Sequence, residues 1–123
     1  FPFIYFFFGI IVSPFVSAYY SELVQGLNLP SPGTIVLVQL FRSFVFLVIT
    51  IPVLAMWRMS RTALIIALGL VHFVMVFAYD FYLALVMPVE LILIHGVEIL
   101  LDSFVYAWVL VTLVYPGHDS AKA

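Results

Sequence analysis

Four apolar runs, each close to the length that crosses a bilayer, occupy nearly all of this chain. A spanning helix needs about 20 mostly apolar residues. The first run extends from about Phe3 to Leu23, contains Pro14, and ends before the breaker string Gly26-Leu27-Asn28-Leu29-Pro30-Ser31-Pro32-Gly33. Ser31 followed by Pro32 reads as an N-cap with Pro at the first helical position, so a second helix covers 32–57. Arg58-Met59-Ser60-Arg61 is a short polar turn, and a third helix follows over 62–79. Asp80 then reads as the cap of a short interfacial helix over 81–87. Pro88 opens the fourth helix, 88–115, with Glu90 in its first turn, where the helix dipole favours an anion, and Pro116-Gly117 stops it. The expected fold class is all-α: one transmembrane domain over 1–123, an integral membrane four-helix bundle with short loops.

Composition closes off the soluble alternatives. Of 123 residues, 67% are hydrophobic and 8% charged, too little polar material to cover a water-facing surface. Thirteen Phe, seven Tyr and two Trp add bulk that lipid accepts and water does not. Four Lys and Arg residues make no basic patch, which excludes nucleic acid as a partner. The absence of Cys removes disulfides, thiolate metal sites and cysteine nucleophiles. No basic stretch precedes the first apolar run and no small-residue cleavage site follows it, which argues against a signal peptide.

Orientation follows from the positive charges. Arg58 and Arg61 lie in the second connection and Lys122 in the tail, whereas the first and third connections carry none and have Glu22, Asp80 and Glu90 nearby. The positive-inside rule predicts N-in/C-in topology, and the expected location is a cytoplasmic (inner) or plasma membrane. Tyr19, Tyr20, Tyr79 and Tyr82 would then mark the outer interface, and Trp57 and Tyr115 the inner one.

The ionisable residues inside the spans are the functional candidates, because each is costly in hydrocarbon, about 2.5–3.5 kcal/mol on insertion scales. At about 1.5 Å of rise per residue, Arg42 and Glu98 each lie roughly 15 Å from the outer ends of their helices and His72 about 11 Å below Tyr79. His95, Glu98, Asp102 and Tyr106 follow one another at spacings of three, four and four, which places them on one stripe of the fourth helix. Gln39, Arg42, Ser43, Phe46 and Thr50 share a face of the second. The two polar seams are expected to meet, with Arg42 paired to Glu98, to Asp102 or to both. A structural role, fixing which helices pack and in what register, weighs against a proton or cation path.

Two further patterns stand out. His95 and Glu98 at i, i+3 can share a metal ion, with His72 and Asp102 as further candidate ligands, although Arg42 would repel a cation there. On the first helix Gly9, Ser13, Ser17 and Ser21 recur every four residues, a small-residue ridge that lets another helix approach, from this chain or from a second copy. Ala63 and Ala67 on the third helix form a shorter version that could be its mate.

No hydrolase, phosphate-loop or dinucleotide motif is present, so no enzymatic activity and no cofactor are expected. Three functions remain. The first is a non-catalytic membrane subunit that forms a homo-oligomer or joins a larger membrane complex. The second is a small oligomeric proton or cation transporter or channel built on the seam. The third is a membrane-embedded metalloenzyme.

Overall fold

A computed structural model of the protein describes residues 1–21, 30–83 and 87–114. Four helices account for almost all of them: α1 Pro2–Ser21, α2 Pro32–Met56, α3 Arg61–Leu83 and α4 Val89–Val114. Each is, by length and composition, long and apolar enough to cross a membrane, which is the pattern of an integral multi-pass membrane protein. Pro14 and Pro52 sit inside α1 and α2 without ending them. Such prolines are accommodated in spans where neighbouring groups re-satisfy the freed backbone.

The helix starts follow local chemistry. Ser31 caps α2 by accepting from the Thr34 backbone N–H at 3.2 Å, with Pro32 next in line. Ser60 serves α3 in the same way, accepting from the Ala63 N–H at 3.2 Å. Trp57 braces that turn by donating its indole N–H to the Ser60 carbonyl at 3.2 Å.

Among the described residues, one boundary differs from expectation by more than a single residue. α3 does not stop at Tyr79 to leave Asp80 as a cap; it continues through Asp80 to Leu83. Neither Gly nor Pro occurs between Tyr79 and Leu83, and a single Asp inside a helix costs less than the backbone bonds it would otherwise forfeit. The interfacial helix expected over 81–87 is therefore, as far as Leu83, the last turn of α3, and 84–86 lie outside the described residues. The expected ends at Leu23 and Tyr115 fall outside them too.

α4 is the central element, packing most extensively on α3 and next on α1. The α3–α4 contact is a close antiparallel zipper. Leu64 and Leu68 bury against Ala107 and Val111, and Val53, Leu54 and Trp57 add the end of α2 to that cluster. Further along, each helix offers a glycine to a ring of the other. A Cβ on Gly69 would stand 2.8 Å from the Phe104 ring, and one on Gly96 would stand 2.7 Å from Phe77. No side chain fits at either place, so these two glycines set how closely the helices approach. α1 packs on α4 and, less extensively, on α2. Ala63 and Ala67 belong to α3, whose main partner is α4, and so are not the mate of the α1 ridge.

Candidate functional site

The two polar seams meet along the inside of the bundle. Gln39, Glu98, Asp102 and Tyr106 are buried, as is His72, while Arg42 and His95 are half-buried. Five of the seven expected seam residues border one cavity of about 290 Å³: Gln39 and Arg42 from α2, and His95, Glu98 and Asp102 from α4. Tyr5 and Tyr20 of α1, Val76 of α3, and Met87 complete its wall with Ile92 and Ile99. Tyr5 and Tyr20 are about four turns apart on α1, roughly 22 Å, so the cavity runs lengthwise between the helices.

The electrostatics of this cavity are unequal along its length. His95 Nδ1 and Glu98 Oε2 lie 3.0 Å apart, an i, i+3 pair that ties the two residues together on α4. One turn further on, Asp102 is only 3% exposed and its Oδ1 has no hydrogen-bond partner among the described residues. The same holds for Oε1 of Gln39, which is 4% exposed. Buried polar atoms of this kind carry a cost of about 1–3 kcal/mol unless something satisfies them. Arg42 shares the wall with both carboxylates, and its guanidinium lies over the rings of Phe1 and Phe46, 5.0 and 5.5 Å from their centroids.

His72 and Tyr106 stand elsewhere. They belong to an aromatic cluster just beyond Asp102, where Phe46 lies 4.6 Å from the His72 ring, Tyr106 lies 5.2 Å from it, and Phe1 closes against Phe46 and Tyr106 at 5.2 and 5.5 Å. Thr50 donates its hydroxyl proton to the Phe46 carbonyl at 2.6 Å, which leaves its oxygen to accept from Nε2 of His72 at 3.3 Å. The expected common level of Arg42, His72 and Glu98 is thus corrected for His72. Counting depth from Tyr79 stopped four residues short of the end of α3, and four residues are about 6 Å, one helical turn.

The metal arrangement is not assembled. Among the described residues no three His, Asp or Glu side chains converge as they would to share an ion. His72 stands in the aromatic cluster and His95 pairs with Glu98.

The ridge on α1 faces α4. Gly9 looks directly at Glu98, since a Cβ placed there would meet Oε1 at 3.7 Å. Gly9, Ser13 and Ser17 line a second cavity of about 430 Å³ together with Val12 and Val16. It shares Tyr5, Tyr20, His95 and Glu98 with the first, and Ser13 and Ser17 are exposed at its outer side. The Ser21 side chain lies outside the described residues.

Tyr5 and Tyr20 were not among the expected site residues. Their signal was present: Tyr5 precedes Gly9 by four and Tyr20 follows Ser17 by three, so both lie on the line of the ridge. No protein-family model matches the chain, and comparison with curated proteins and with solved structures likewise returns no match.

Proposed function

We propose that the protein moves protons or small cations along the cavity between its helices. The observation that carries this reading is the pair of buried, unsatisfied acceptors, Asp102 Oδ1 and Gln39 Oε1, on the wall of a lengthwise polar cavity. A seam serving only to hold helices together gains most when every polar atom is paired within it. Here acceptors are left over on residues that line a cavity with room for water or an ion. The two carboxylates supply negative charge and Arg42 balances part of it, so that a cation is attracted without being trapped. Beyond Asp102 the cluster of Phe1, Phe46, His72 and Tyr106 closes the passage, and His72 is its one titratable imidazole. The orientation is N-in/C-in, which points the cavity end bearing Tyr20 outward and the aromatic closure toward the cytoplasm.

The test is ion flux into liposomes holding the wild type or Glu98→Gln at matched reconstitution. Flux in the wild type that falls at least tenfold in the variant, with the fold intact, supports the proposal. Wild-type vesicles as tight as empty ones would end it. Orientation is checked by cysteine probes: one at Ser60 should label only from the cytoplasmic side and one at Ser31 only from outside, and the opposite pattern reverses the topology.

A second reading, the non-catalytic assembling subunit, is favoured by the exposure of Ser13 and Ser17 on α1, where a helix of a second copy or of a larger membrane complex could seat. Light scattering of the solubilised protein decides it: a strictly monomeric species, with no flux, leaves only assembly with a different chain.

A further inference from the structure

We infer that the two adjoining cavities take one amphipathic organic ammonium ion, with its charged nitrogen at Asp102 and Gln39 and its apolar tail between α1 and α4; this rests on the transport reading and names its substrate class. Three observations select that chemistry. Asp102 and Gln39, which line the first cavity, each hold a buried acceptor with no partner among the described residues, Oδ1 and Oε1, and Glu98 adds a carboxylate to the same wall. What satisfies them must donate hydrogen bonds, and a positive charge answers the carboxylates of Asp102 and Glu98; an ammonium with several N–H bonds does both.

A bare metal ion fits less well. It demands ligands drawn tightly around one point, and among the described residues no three His, Asp or Glu side chains converge in that way. The space is also too large for it: about 290 Å³ adjoins about 430 Å³, with Tyr5, Tyr20, His95 and Glu98 common to both. These volumes suit an organic molecule of several heavy atoms.

The second cavity gives the tail its place. Val12 and Val16 provide apolar walls, and the ridge residues Gly9, Ser13 and Ser17 keep side-chain bulk out of it. Tyr5 and Tyr20, which line both cavities, are aromatic rings of the kind that attracts a cation. The exposure of Ser13 and Ser17 leaves this side open toward the bilayer, where an amphiphile already partitions.

Hexylammonium, methylammonium, hexanol and hexanoate are titrated calorimetrically against the protein in nanodiscs, with empty nanodiscs as the blank. Saturable binding of hexylammonium at least tenfold tighter than of each of the other three is expected. Asp102→Asn should weaken it at least tenfold. Val16→Phe, which fills the tail cavity and leaves every polar group in place, should weaken hexylammonium while leaving methylammonium unchanged. Equal affinity for hexanol or hexanoate, equal affinity for methylammonium, or uptake matching empty nanodiscs would each overturn the inference. Ion flux measured on the same preparation separates the two ideas. Flux without ammonium binding removes the inference and leaves transport standing; binding without flux supports the site and removes transport.

Discussion

α4 has two working sides, and they are packed in opposite ways. Toward α3 it forms a zipper in which Leu64, Ala107 and Val111 have no exposure at all and glycines receive aromatic rings. Toward α1 and α2 it presents His95, Glu98 and Asp102 to open cavities. The difference lies in side-chain chemistry more than in helix geometry. In lipid, apolar helices gain nothing from hiding apolar surface, so association rests on close packing and on interhelical hydrogen bonds. The α3 side satisfies the first requirement throughout its length. The α1 and α2 side does so near the aromatic cluster and at the end of α2, where Val53 and Leu54 pack on Ala107 and Val111 with their α3 partners. Rigid support on one face and space on the other is what the proposed transport would require, because the site would have to admit a guest without the bundle coming apart.

The largest expected effect breaks the tight side. Gly69→Ala puts a Cβ 2.8 Å from Cδ1 of Phe104 and 3.0 Å from its Cγ, so the contact involves the base of the ring as well as its edge. The ring cannot swing clear without moving the α4 backbone. A loss of about 1–3 kcal/mol is expected from overpacking. Unfolding of the detergent-solubilised protein by denaturant measures it. Stability equal to wild type would mean that α3 and α4 stand further apart than described, and the contrast between the two sides would vanish. Gly96→Ala should cost less, since Phe77 offers only its far edge, Cε2, at 2.7 Å.

A smaller effect is expected where α2 meets the bundle. Thr50→Val keeps the shape and removes the oxygen that accepts from His72. Interhelical hydrogen bonds in membranes are worth about 0.6 kcal/mol on average and at most about 1.7. A double-mutant cycle with His72→Phe isolates the pair, and a coupling within about 0.3–0.5 kcal/mol of zero would show that aromatic packing alone holds α2 at this level.

Much of this arrangement was legible in the residues before the coordinates. The lengths of the apolar runs and the Ser31-Pro32 start located the helices, because a bilayer imposes one length and one backbone solution. The three-four-four spacing from His95 to Tyr106 placed the α4 seam on one face, since side chains at those intervals lie above one another. His72 was misplaced for a reason of the same kind: depth was counted from a helix end that Asp80 seemed to set, while α3 ran on to Leu83. The division between zipper and cavity was not legible. Gly9, Gly69 and Gly96 look alike as helical glycines, and only the neighbour across the interface decides whether a missing side chain is filled by a ring or left as space. Tyr5 was overlooked because one hydroxyl in a run of phenylalanines reads as lipid-facing bulk.

The smallest expected effect, and the one that tests the open side most directly, is Gly9→Ala. Within a helix Ala is favoured over Gly by about 0.8–1.0 kcal/mol, because the glycine backbone loses more freedom on ordering. At Gly69 that gain is overwhelmed by the Phe104 ring. At Gly9 nothing opposes it, since the new methyl would meet Glu98 Oε1 at 3.7 Å, an ordinary contact. The variant should therefore be as stable as wild type, or more stable by up to about 1 kcal/mol. A loss of more than about 1 kcal/mol would show that α1 packs on α4 as closely as α3 does, with no cavity between them. The methyl also narrows the space beside Glu98 without removing any polar group. Flux into liposomes should then fall in Gly9→Ala while stability holds. That separation is not available to a seam whose only task is to keep helices in register, for which any change that leaves stability intact is silent.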